Sequence, residues 1–209
     1  MFDFDLTSLV ARAPAILIAL ALHEYAHARM AVWLGDPTPR WEGRLTINPL
    51  SHLDPIGTLM LIFGPFGWAK PVGVNPYNFR GNKQRGMMLV ALAGPLMNVL
   101  LAIISVALFV GFGDVAEARP LLRSMIGINV GLAVFNLLPI PPLDGSKVLA
   151  GLLPSRNQGW LRQLEQYGPI LLLVLVFFPA LSNVIFWPLY EALYNVVFPV
   201  GIAIGQIIF

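Results

Sequence analysis

Ile16-Leu17-Ile18-Ala19-Leu20-Ala21-Leu22-His23-Glu24-Tyr25-Ala26-His27-Ala28-Arg29-Met30-Ala31-Val32-Trp33-Leu34 decides how this chain folds. It belongs to an apolar stretch from about Leu6 to Leu34, long enough to cross a bilayer at about 20 residues per crossing. Residues 23–27 read H-E-x-x-H, the spacing at which two histidines on one helix face hold a zinc ion beside a carboxylate. Two imidazoles and a carboxylate are costly to bury in a lipid-crossing segment and mark a functional site there. Gly35-Asp36-Pro37 then supplies the stop signals.

The rest of the chain agrees with a membrane reading. Of 209 residues, 57% are hydrophobic and 11% charged, against about 25% charged in soluble domains. Mean hydropathy is +0.73. The net charge of +2 is small, and no basic cluster with interleaved aromatics points to nucleic acid. The pI of 9.2 fits basic loops facing an anionic leaflet. Cysteine is absent, so a metal must be held by nitrogen and oxygen. Residues 1–21 are not expected to be a cleaved signal, because Asp3 and Asp5 replace the basic residues a signal carries.

The predicted fold is an all-α polytopic membrane protein, a single domain over residues 1–209. It has about four to five transmembrane helices and a membrane-associated β-hairpin or sheet between the first and second. After the first segment, residues 36–85 form a long Gly- and Pro-rich connection with Arg40, Arg44, Lys70, Arg80, Lys83 and Arg85. A second segment runs from about Gly86 to Phe112 and a third from about Leu121 to Leu138. Pro139, Pro141 and Pro142 break the third, and Asp144-Gly145 turns the chain. A short amphipathic helix and a polar stretch occupy residues 146–166. The core thus spans about residues 6–150. Residues 167–209 are apolar and divided by Pro179, Pro188 and Pro199, as two crossings or as one crossing plus an interfacial helix with Trp187 and Tyr190 at the headgroups. Gly127-x-x-x-Gly131 permits close helix packing.

Basic residues in the connections after segments one and three put those connections in the cytoplasm and the N-terminus outside. His23–His27 lie about 24–30 Å along the first helix, toward its cytoplasmic end. Asp144 follows the cytoplasmic end of segment three, so the two arrive on the same side of the membrane.

His23 and His27 share a helix face and can bind one metal, while Glu24 can reach a water on that metal. Zinc acidifies such a water, Glu24 takes its proton and can pass it to a leaving amine. Catalytic zinc needs a third protein ligand, for which Glu42, His52, Asp54 and Asp144 are candidates. Asn98 is placed to donate to a developing oxyanion or to hydrogen-bond between helices, and Asn136 has the same two readings. His52, in His-x-Asp-Pro, suits a loop-organising hydrogen bond.

Asn136-Leu137-Leu138-Pro139-Ile140-Pro141-Pro142-Leu143-Asp144-Gly145 closely resembles the second signature of the site-2 protease family of intramembrane zinc metalloproteases. Gly94-Pro95-Leu96-Met97-Asn98 resembles its glycine-to-asparagine motif. Asn48-Pro49, His52-Leu53-Asp54-Pro55-Ile56-Gly57 and Gly67-Trp68-Ala69-Lys70-Pro71-Val72 look like the intervening loop of compact bacterial members. The resemblance covers roughly residues 15–150, with the motifs in family order. It implies one Zn2+ per chain held by His23, His27 and Asp144, with Glu24 as the catalytic acid/base. There is no room for the inserted peptide-binding domain or the nucleotide-sensing domain of some members.

The expected activity is an intramembrane zinc endopeptidase of the cell membrane, active site toward the cytoplasm, working within the lipid bilayer on single-pass transmembrane substrates. Leu45-Thr46-Ile47 and Thr58–Phe63 have β-compatible content, and a re-entrant hairpin there would receive the unwound substrate as an added strand. The plainer alternative is an interfacial loop anchored by Trp41, Trp68 and Tyr77. A metal transporter or an inactive scaffold are the competing functions.

Overall fold

The computed structural model describes residues 6–57, 69–154 and 159–209. Its main helices are α1 (Leu6–Trp33), α2 (Lys83–Phe112), α3 (Ala118–Leu137), α4 (Asp144–Leu152), α5 (Gly159–Phe177) and α6 (Pro179–Ile208). α1, α2, α3 and α6 are long and apolar enough to cross a membrane. The chain is a multi-pass membrane protein. The apolar part of α5, Gln163–Phe177, is shorter than a crossing.

α2 is the central helix and packs against α1, α3, α4 and α6. On α1, Ala15, Ala19, Ala28 and Ala31 are fully buried, and small side chains let helix backbones approach without a hydrophobic drive between helices. Toward α3 and α6, Ala102 and Val106 of α2, Ile126 and Val130 of α3 and Val197 of α6 form a buried cluster. Gln84, in the first turn of α2, donates to the carbonyls of Ala150 and Leu153 at 2.7 Å. It thereby ties the first turn of α2 to the end of α4.

Several boundaries differ from the sequence expectation. α2 begins at Lys83 because the Asn82 side chain caps it, accepting from Arg85 N at 2.9 Å. Asp144-Gly145 does not turn the chain but opens α4, while the irregular stretch between α3 and α4 is carried by residues 138–143. Pro179 separates α5 from α6, but Pro188 and Pro199 lie inside α6. Proline is tolerated within membrane helices when neighbours satisfy the freed backbone groups. Tyr190 packs on the α2–α3–α6 cluster. The tight helix approach is also not at Gly127 and Gly131, where an added Cβ would meet Tyr190 at an ordinary 3.6–3.9 Å. It is on α6, where a Cβ at Gly201 would overlap Val106 and one at Gly205 would press on Val110 and the Ala107 carbonyl.

Among the described residues the connection between α1 and α2 contains no strand, so the expected hairpin is not seen. Its one pairing is an antiparallel bridge between Leu53 and Ala69, beside Lys70 N donating to His52 O at 2.8 Å. Thr58–Phe63 lies outside the described residues, as does Trp68. Leu45–Ile47 is irregular for a local reason. Thr46 Oγ1 accepts from Asn48 N and Thr46 O pairs with His52 Nε2 at 2.8 Å, so local bonds compete with a ladder.

Asp36 ties this connection to the end of α1. Gly35, at φ 111°, ends α1 in a conformation that disfavours any side chain. Fully buried Asp36 then accepts from Thr38 N and Oγ1, from Asn78 Nδ2 and, through its other oxygen, from Asn75 N at 2.7 Å. Arg80 N adds a bond to Leu34 O at 2.8 Å. Burial pushes the Asp36 carboxyl up, and these hydrogen bonds outweigh it and hold the group below the ordinary carboxylate range.

Gly205→Val should lower stability by about 1–3 kcal/mol through overpacking, whereas Gly127→Ala should be neutral or stabilising; thermal unfolding in detergent compares them. A folded pKa below the unfolded value means stability present above the unfolded value of about 3.9 and lost as pH falls through the folded one. Asp36→Asn should therefore unfold several degrees earlier than the native chain at pH 7, and the gap should narrow as pH drops below about 4. A gap independent of pH would show that the charge of Asp36 is not what matters.

Candidate metal centre

α1 carries the two histidines one turn apart, and α4 presents Asp144 from its first turn. His23 Nε2 lies 3.3 Å and His27 Nε2 3.1 Å from Asp144 Oδ2, and the two Nε2 atoms are 3.0 Å apart. All three residues are buried. Among the described residues this is the one group of three whose donor atoms could hold a metal ion.

The donor set fits zinc. Ligands at about 2.0–2.1 Å in a tetrahedron are separated by about 3.3–3.4 Å, close to the spacings found. The imidazole tautomers also fit. Val90 O accepts from His27 Nδ1 at 2.7 Å, and a carbonyl can only accept, so the Nδ1 proton leaves Nε2 as a bare lone pair. His23 is settled by a longer chain. Asn129 Nδ2 donates to Met125 O at 2.8 Å. This leaves Asn129 Oδ1 to accept from Asn98 Nδ2 at 2.8 Å, and Asn98 Oδ1 to accept from His23 Nδ1 at 2.6 Å. Each amide is oriented by the next, back to the Met125 carbonyl, so the Nε2 of His23 is also bare.

Asp144 completes the set. Two lone pairs and a carboxylate oxygen about 3 Å apart repel one another unless a cation lies between them. The second oxygen of Asp144 lies 3.8 Å from Lys147 Nζ, three residues on along α4.

Two glycines permit this convergence. A Cβ on Gly94 of α2 would overlap His27 Nε2 and the ring carbons of both histidines. One on Gly145 would overlap the carbonyls of Leu137 and Leu138. The backbone of α2 and the first turn of α4 can close on the site only because neither position has a side chain.

The site opens into a cavity of about 660 Å³, lined by His23, Glu24, His27, Asn136, Asp144 and Lys147 among apolar groups of α2, α3, α5 and residues 69–74. Glu24 is largely buried and lines this cavity. No hydrogen bond or ion pair from the described residues engages its carboxylate.

The other sequence candidates lie elsewhere. Glu42 accepts from Gly73 N at 3.2 Å, His52 Nε2 pairs with Thr46 O as a loop-organising bond, and Asp54 Oδ1 accepts from Gly57 N at 2.8 Å. Asn98 is fully buried, pairs with His23 and Asn129, and is not among the cavity-lining residues. Asn136 lines the cavity and donates to Leu132 O at 3.0 Å. Sequence reasoning missed Asn129, the Val90 carbonyl and Lys147. Lys147 left a signal in its i,i+3 spacing from Asp144, and Asn129 in being an amide within an apolar crossing segment.

Known proteins share this arrangement of sequence. The profile of peptidase family M50 matches residues 113–178. YwhC of Bacillus subtilis (strain 168) is 39% identical over 186 residues, covering 85% of this chain and 84% of that protein. Rip2 of Mycolicibacterium smegmatis is 35% identical over 174 residues, covering 80% of this chain and 66% of the relative. Both carry zinc metalloprotease in their names. No solved structure matches the chain. Identity of this degree along most of both proteins, in a chain whose helices are long enough to cross a membrane, makes it a member of the site-2 protease family, peptidase family M50, and a membrane zinc metalloprotease.

Proposed function

We propose that the chain is an intramembrane endopeptidase that cuts transmembrane segments of single-pass membrane proteins near the cytoplasmic face, as a step of regulated intramembrane proteolysis. One observation carries this reading. Three donors that fit zinc converge beside a carboxylate that no described residue engages, in an apolar cavity between helices long enough to cross a membrane.

In this reading His23, His27 and Asp144 hold the zinc ion, which supplies Lewis acidity toward water and the scissile carbonyl. Glu24 takes the proton of the attacking water and returns it to the leaving amine. Its carboxylate is unengaged by the described residues, which suits a group that must change protonation twice. Asn98 is a positioning residue: it holds His23 in the metal-binding tautomer, as partners behind a ligand commonly do. The apolar walls exclude bulk water, which strengthens electrostatic interactions inside. Lys147 draws on the outer oxygen of Asp144 and leaves the inner one toward the histidines.

A helical substrate must unwind before its peptide bond is reached. The Leu53–Ala69 bridge supports a connection that leaves and returns at one place. The segment within it, including Thr58–Phe63, is proposed to receive the unwound substrate as an added strand. Basic residues in the connection support a cytoplasmic position for the site.

Purified chain with a model transmembrane-helix substrate tests the reading. Glu24→Gln should keep zinc and lose cleavage by about 10²–10⁴-fold. Unchanged cleavage would remove Glu24 from the chemistry, and metal flux in liposomes without cleavage by the native chain would favour transport. Asn98→Ala should weaken zinc retention against a chelator by about 10–100-fold. Proline substitutions along Thr58–Phe63 should slow cleavage without releasing zinc, and full activity in all of them would refute strand addition.

A further inference from the structure

A second cavity, of about 610 Å³, lies in the connection between α1 and α2 and is lined by Glu42, Gly43, Arg44, Ser51, Lys70, Pro71 and Gly73. Arg44 is its unusual member. It is only 5% exposed, and its Nη1 donates to the Ser51 carbonyl. No carboxylate among the described residues lies within ion-pair distance, since the ion pairs there involve other residues. Residues 58–68, which lie within the same connection, contain no acidic side chain. A buried guanidinium with no counter-charge among the described residues is costly. Its remaining N–H groups are not among the sealed, unpartnered polar atoms, so they open onto the cavity that Arg44 lines.

Lys70 lines the same cavity and is exposed. Two cations face one carboxylate there, that of Glu42, which already accepts from Gly73 N. The excess of positive charge calls for an anion, and a guanidinium fork suits a phosphate with its several oxygens. The surroundings indicate where that phosphate comes from. Trp41, Ile47, Leu50 and Ile56, all in this connection, expose between 64% and 76% of their surface. None belongs to a crossing helix. Large apolar side chains on a basic, non-crossing segment belong at the membrane interface, beside the headgroups.

We propose that this cavity binds the phosphate group of a membrane phospholipid through Arg44 and Lys70. Glu42 stands beside it to accept an ammonium, so the site selects a phosphoethanolamine headgroup over a phosphoglycerol one. The bound lipid anchors the connection that leads from α1 to the cavity wall at residues 69–74.

Native mass spectrometry of the full chain, extracted from bilayers of mixed phosphatidylethanolamine and phosphatidylglycerol, tests this. The native chain should retain one phospholipid, preferentially phosphatidylethanolamine. Arg44→Gln and Lys70→Gln should each lower retention about tenfold, and Glu42→Gln should erase the preference between the two lipids. Arg44 also holds Ser51, so its variant could disturb the loop. Among the described residues Lys70 makes no side-chain contact of that kind, and equal lipid retention in Lys70→Gln and the native chain would overturn the proposal. Millimolar inorganic phosphate should leave the adduct in place; displacement by it would assign the cavity to free phosphate and overturn the lipid source.

Discussion

A single line of hydrogen bonds runs from Met125 O through Asn129 and Asn98 to His23, and the metal centre depends on it. It joins α3, α2 and α1 at one depth. In a bilayer interior an unpaired amide has no water to turn to, so each member of the line must be satisfied by the next. Direction matters as much as pairing. The line starts on a carbonyl, which cannot donate, so every amide has one allowed orientation and His23 one allowed tautomer. The buried asparagines therefore specify the chemistry of an imidazole two helices away.

α2 does the same for His27 with a backbone group, the Val90 carbonyl, and makes room for both rings by having no side chain at Gly94. The central helix of the fold is thus also the outer support of the site. α4 arrives by a different route. The proline-rich break after α3 cannot continue a helix. The chain re-enters helical structure at Asp144, pressed against the end of α3 at Gly145. Gln84 of α2 then secures the far end of α4. The carboxylate is held from both ends of a short helix.

Much of this was legible in the residues. H-E-x-x-H in an apolar run specified a helix, a shared face and a zinc-type donor set, because helical periodicity relates spacing to direction. The prolines before Asp144 marked a break. Less legible was what depends on distant partners. Gly127 and Gly131 have the spacing of a tight helix contact, yet the tight contact is made by Gly201 and Gly205, because close approach is a property of two surfaces and spacing describes one. Pro188 and Pro199 read as breaks but lie within α6, where the tertiary setting tolerates them. Leu45–Ile47 had strand-like composition, but Thr46, Asn48 and His52 engage one another locally before any ladder forms.

The chain's own residues, without the fold, determined that it is a helical membrane protein with nitrogen and oxygen donors for a metal at the end of its first long helix. Hydropathy and helical spacing are local properties, and local order is enough to express them. Which carboxylate completes the site was not local. Spacing alone left Glu42, His52, Asp54 and Asp144 open, the resemblance pointed to Asp144, and the packing of α4 against α1 and α2 is what brings its carboxylate within 3.1–3.3 Å of both histidines. The tautomers likewise belong to the tertiary structure, because a hydrogen-bond direction is settled only when both partners have a fixed place.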